Sequence, residues 1–190
     1  PATVAENGDW TVKFPSSAVP ATGTSTATVN SIDAAGNAGT NTHTISVDRE
    51  TAVAVNPGQA GGDNIIMSTE ANAGVTLTGT AERGAKVEVT FQGNTHSVTA
   101  SNTGTWSTKF ESAEITRGTY FNGPNNLVSV KSTDLAGNIA TTSHTLNVDT
   151  EVTNFARTST STGIDNVLNS AEALQGLTVT GTVEANATSV

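Results

Sequence analysis

Carboxylates recur along this sequence at fixed spacing. Asp48 and Glu50 stand in VDRE (47–50), Glu82 closes TGTAE (78–82), and Asp134 opens DLAGN (134–138). The set returns as Asp149 and Glu151 in VDTE (148–151) and as Glu184 closing TGTVE (180–184), while Asp33 opens the matching loop DAAGN (33–37). A hard cation such as calcium takes about six to eight oxygen ligands from carboxylates, backbone carbonyls and water. Asp48, Glu50, Glu82 and Asp134, completed by carbonyls of the loop 135–138, are of that type. Four carboxylates drawn together would repel one another without a cation. The rival reading is that these are solvated acids on turns, where Asp is a common turn former. One D-x-A-G-N loop alone favours the turn; recurrence of the whole set favours the cation. Asp63 and Asp165, each followed by Asn, stay open between the same two readings. No EF-hand loop is present, because the D-x-D-x-D-G spacing is missing.

Other chemistry is thin. His43 and His144 hold equivalent places, in phase with apolar residues, and only His96 remains to join them. A transition-metal site would need further nitrogen or sulfur ligands, so structural histidines are expected. No nucleophile elbow, zinc-protease helix, P-loop or dinucleotide fingerprint occurs, and no enzymatic activity is expected. The 190 residues carry a net charge of −9, which disfavours nucleic acid as a partner. No apolar run approaches the roughly 18 residues that span a bilayer, so membrane insertion by this segment is not expected. The chain reads as an internal excerpt, so the lack of a signal peptide carries no weight.

The elements that must position these residues follow from an internal repeat. THTISVDRE (42–50) returns as SHTLNVDTE (143–151), which sets Asp48 and Asp149 one period of 101 residues apart. GDNIIMSTEANAGVTLTGTAE (62–82) returns as IDNVLNSAEALQGLTVTGTVE (164–184), NGDWTVKF (7–14) as TGTWSTKF (103–110), and SIDAAGNAGT (31–40) as STDLAGNIAT (132–141). Residues 49–149 thus form one whole repeat, 1–48 match its second half, and 150–190 match its opening. A unit of about 100 residues fits one β-sandwich. There is no cysteine to staple a small core, and aromatics make up only 4%. Alternation marks half-buried strands in KVEVTF (86–91), WSTKF (106–110), LVSVKS (127–132) and HTLNV (144–148), with Gly- and Asn-rich turns between them. About seven strands are predicted, and 63–71 has room for one helical turn at most. Trp10 and Trp106 are equivalent and are expected under a sheet. Seven strands running alternately up and down place Asp48, Glu50, Glu82 and Asp134 at one pole. The Asp63–Glu70 loop and Asp149 fall at the far pole.

The combination of V-D-x-E, D-N-x-x-x-x-x-E before T-G-T-x-E, and D-x-A-G-N resembles the bacterial Ig-like repeats of giant RTX- and Bap-like adhesins exported by type I secretion. The resemblance covers the whole chain. It implies tandem immunoglobulin-like Greek-key sandwiches in an elongated rod, displayed outside a bacterial cell, with Ca2+ between neighbouring repeats of one polypeptide. The chain departs from its own repeat at TRGTYFNGPNN (116–126), where Phe110 to Asp134 is five residues longer than Phe14 to Asp33. A structural spacer in an adhesin is the expectation; a glycan- or ligand-binding module, which would cluster exposed aromatics on one face, is the alternative. The partial repeats suggest head-to-tail pairing between copies. That pairing would bring Asp33 of one copy to Asp149, Glu151 and Glu184 of another.

Overall fold

The computed structural model of the chain describes residues 2–160, 167–185, 187 and 189. A first hairpin joins β1 (Gly23–Ile32) to β2 (Ala38–Val47) around the D-A-A-G-N loop. The whole repeat follows. Its strands are β3 (Val53–Val55), β4 (Ile65–Met67), β5 (Val75–Ala81), β6 (Lys86–Phe91), β7 (Asn94–Thr99), β8 (Thr105–Phe110), β9 (Thr119–Tyr120), β10 (Leu127–Thr133), β11 (Ile139–Thr145) and β12 (Asn147–Asp149). A helix, α1 (Ser68–Ala73), leads from β4 into β5. After the repeat come β13 (Ala156–Thr160), α2 (Ser170–Gln175) and β14 (Val179–Thr182). The protein is all-β, as its alternating pattern predicts.

Within the repeat, one sheet has the order β11-β10-β6-β7 and another β3-β5-β8; β4-β12-β9 form a third, smaller sheet. The period-2 patterns put Val87, Val89 and Phe91 of β6, and Val128 and Val130 of β10, on one inward face. Leu77 of β5 and Trp106 and Phe110 of β8 come from the facing sheet. Phe91 and Phe110 meet edge to face with ring centroids 5.8 Å apart, a favoured aromatic geometry that locks the two layers together.

Two features depart from the sequence reading. The segment HTLNV is two strands rather than one, because the chain changes sheets at Leu146. The buried Asn126 side chain donates to the carbonyls of Tyr120 (2.7 Å) and Leu146 (3.2 Å), and the Asn126 carbonyl accepts from the Leu146 amide at 2.8 Å. These bonds satisfy main-chain groups that neither ladder reaches. The loop 116–126, the repeat's longest departure, therefore supplies both β9 and this switch point. Arg117 in the same loop donates to Asn72 of α1 at 3.0 Å and to Ser112 at 2.9 Å.

The second departure is in residues 1–48, which match the second half of the repeat but form two strands among the described residues, with none at the equivalent of β8. Trp10 is 48% exposed, while its counterpart Trp106 is 3% exposed. The difference is physical: Trp106 lies over Gly79 of the neighbouring strand β5, whereas Trp10 lies in no strand among the described residues.

That neighbouring strand carries a specific accommodation. Gly79 of β5 pairs with Trp106 of β8. A Cβ on Gly79 would collide with the Ala54 carbonyl and the Trp106 indole, and the indole N–H donates to the Thr80 carbonyl at 3.2 Å. Overpacking of this kind costs about 1–3 kcal/mol. Gly79→Ala should therefore destabilise the repeat by that amount, read as a lower urea midpoint at unchanged slope; an unchanged midpoint would show that the slot has slack.

Candidate metal centre

Three strand ends converge at one pole. Asp48 is the residue after β2, Glu82 the residue after β5, and Asp134 the residue after β10. Each position follows from local chemistry. Glu82 opens a tight turn in which the Ala85 amide donates to the Glu82 carbonyl at 3.0 Å and Gly84 takes φ +76°, a conformation glycine adopts without steric cost. Asp134 opens the β10–β11 hairpin. Its amide donates to the Asn138 carbonyl at 3.1 Å, and its carboxylate accepts from the Asn138 amide and side-chain NH2, each at 2.8 Å. Asp48 accepts from the Glu50 amide at 3.4 Å within the linker.

Carboxylate oxygens of Asp48, Glu82 and Asp134 lie within 4.8 Å of one another. Asp48 and Glu82 are exposed, and Asp134 is buried. None of the ion pairs among the described residues involves them, so no cationic side chain offsets their mutual repulsion. The spacing suits a calcium ion. Ligands at about 2.3–2.6 Å from a shared ion sit at most about 5 Å apart, and this group meets that bound. Beside it lies an open concavity of about 510 Å³ lined by Glu50, Thr51, Val53, Thr80 and Glu82, among others. The Thr51 hydroxyl there is buried and has no hydrogen-bond partner among the described residues.

The other candidate residues are placed differently. Glu50 lines the concavity, but its carboxylate is not in the group of three. Asp149 pairs across to Met67 and Thr119 and accepts from the Thr119 hydroxyl at 3.1 Å. Glu184 accepts from the Thr153 amide and hydroxyl at 3.2 and 3.0 Å, and Glu151 is exposed. No grouping forms from Asp149, Glu151 and Glu184 among the described residues. Asp33 repeats the Asp134 turn in an exposed hairpin, accepting from the Ala35 and Asn37 amides at 2.9 and 2.8 Å. Asp63 accepts from the Ile65 amide at 2.9 Å, the turn-forming arrangement; Asp165 lies outside the described residues. His144 bonds Asn64 at 2.8 Å. His96 bridges Glu114 (2.8 Å) and Thr108 (3.2 Å) and stacks on Phe110.

Burial opposes ionisation of Asp134, but the bonds from Asn138, with the Gly137 and Ala136 amides, outweigh it and hold its pKa below the usual carboxylate value. A carboxyl with a depressed folded pKa contributes stability above its unfolded value of 3.8 and loses it as pH falls through the folded value. Asn138→Ala removes one of these bonds. It should raise the Asp134 pKa, read by carboxyl-carbon NMR titration, and shift acid unfolding to higher pH; an unmoved titration would mean the side-chain bond does not act on the carboxyl.

The comparisons with known proteins can be set beside this geometry. No curated protein matches the chain. Among solved structures it is similar to a Ca2+-stabilised adhesin with which an Antarctic bacterium binds ice, at 31% identity over 80% of this chain and 38% of that one, with a TM-score of 0.44. It is also similar to a 1.5-MDa bacterial ice-binding adhesin, at 24% identity over 67% of this chain and 41% of that one (TM-score 0.45). A bacterial immunoglobulin-like domain from the M. primoryensis ice-binding adhesin is 27% identical over 51% of this chain and 95% of that one (TM-score 0.39). The chain thus spans well under half the length of the first two. The bacterial Ig-like domain family matches residues 50–150, so the chain belongs to the bacterial Ig-like domain family.

Proposed function

We propose that this chain is a non-catalytic spacer of an extracellular bacterial adhesin, in which Asp48, Glu82 and Asp134 hold a calcium ion at the junction between adjacent repeats of the same polypeptide. The observation that carries the reading is the convergence of three carboxylates from three separate segments, one of them the linker residue Asp48. Its effect is mechanical. An ion shared by the linker and two loops of the following sandwich fixes the angle at which one repeat leaves the next. Strands of seven residues, the longest in the repeat, span about 23 Å, so each stiffened unit adds a few nanometres of reach with its loops. Loop carbonyls and water complete the oxygen shell. The adhesin role comes from the motif resemblance, the junction chemistry from the geometry. Head-to-tail contact between copies extends the same scheme by bringing Asp33 of one copy to Asp149, Glu151 and Glu184 of another.

Calcium should titrate this protein with a dissociation constant of roughly 10⁻⁴ to 10⁻³ M, the range of extracellular modules. At a hundredfold excess over that constant one ion stabilises by about 2.7 kcal/mol, which should raise Tm by about 10 °C or more for a domain this size. Glu82→Gln should abolish most of the calorimetric signal without lowering the calcium-free Tm, since Glu82 is exposed and its neutralisation relieves repulsion within the group. Equal binding by Glu82→Gln and the parent protein would remove the site from this pole. Small-angle scattering should show a longer maximum dimension with calcium than with chelator, and identical dimensions would refute the stiffening.

A further inference from the structure

The two larger sheets of the repeat end in β7 and in β8, and no ladder joins those two strands. Side chains bridge them instead. His96 of β7 lies on the ring of Phe110 of β8, with ring centroids 4.5 Å apart and planes 18° from parallel, and its Nδ1 meets the Thr108 hydroxyl at 3.2 Å. After β8 the chain turns at Ser112–Glu114 and is fastened to the β6–β7 hairpin by three side chains. Gln92 accepts from the Thr116 amide at 2.7 Å, Asn94 donates to the Glu114 carbonyl at 3.1 Å, and His96 Nε2 meets the Glu114 carboxylate at 2.8 Å.

Of these three fastenings, the His96–Glu114 pair is the one a proton can change. Glu114 uses both carboxylate oxygens: Oε1 meets His96, and Oε2 accepts from the Glu111 amide at 2.7 Å. The other charges nearby are engaged elsewhere. Lys109 of β8 pairs with Glu111 at 2.9 Å, and Arg117 is held by Asn72 and Ser112. His96 is therefore the charged side chain that acts on Glu114.

We propose that His96 and Glu114 form an acid-released clasp: protonation of Glu114 frees segment 111–116 from β7 and opens this side of the sandwich while the rest of the repeat stays folded. A protonated carboxyl keeps an accepting oxygen but loses the charge that strengthens both bonds. The Glu111 amide first, and His96 second, hold the Glu114 pKa below its unfolded value of 4.5. A carboxyl shifted in that direction contributes stability above 4.5 and loses it as pH falls through the folded value, so release belongs to acid below that point. The clasp is separate from the calcium site. Phe110 pairs with Val75, at the end of β5 remote from Glu82, and no member of that carboxylate group takes part.

Hydrogen exchange of the calcium-free full chain, read residue by residue by NMR between about pH 7 and about pH 3, tests this. Protection of the Glu111 and Thr116 amides and of β7, corrected for intrinsic rates, should fall about five- to tenfold in acid, the scale of weakening one charge-assisted bond at a part-exposed site. β5 and β10 should stay protected over the same range. Glu114→Gln keeps an accepting oxygen and removes the charge. It should show the low protection already at neutral pH and no further loss in acid. The proposal is overturned if the parent's protection at these amides does not change, if it is lost only together with that of β5 and β10, or if Glu114→Gln keeps the parent's pH dependence.

Discussion

A sheet of this sequence has one apolar face and no means of hiding it alone. The alternation that points Val87, Val89 and Phe91 to one side of β6 leaves that side exposed unless a second sheet lies across it. With no cysteine in the chain, covalent staples cannot replace that second layer. The repeat therefore depends on sheet-on-sheet closure, centred on the Phe91–Phe110 contact between the layers.

Closure also explains why the acids gather at a pole. A strand interior that alternates inward and outward has no room for a buried carboxylate without a partner. Strand ends do, because loops supply amides and water. Asp134 sits at the boundary, buried yet supported by the hairpin amides. β5 and β10 both end at this pole, and β2 delivers the linker there, so topology rather than sequence proximity brings Asp48, Glu82 and Asp134 together.

Much of this was legible from residue types. The period of 101 residues, the inward rows of β6, β8 and β10 and the Asp134 hairpin all follow from alternation and turn chemistry, which act locally. The sheet switch at Leu146 was not legible, because it depends on Asn126, 20 residues away, reaching two carbonyls at once. Nor was the exclusion of Glu50 from the carboxylate group. Strand alternation gives a residue's face, but a linker side chain outside any strand has no such constraint. The exposure of Trp10 was missed for a related reason: its pattern states which face is apolar, and burial depends on what lies opposite.

Asp134 appeared from sequence to be either a turn former or a ligand, and the two roles are compatible. An ionised carboxylate offers about four lone-pair sites. The Asn138 amide and side chain take one on each oxygen, which leaves capacity on both for a cation. The turn bonds fix the carboxylate before any ion arrives, so little side-chain entropy remains to be lost on binding. They also keep the group ionised at lower pH than an ordinary aspartate. The bonds that make Asp134 a good turn residue thus also preorganise its carboxylate for the calcium site proposed above. Asp33, which has the same turn at an isolated hairpin tip, lacks only the converging strand ends that bring other carboxylates to it.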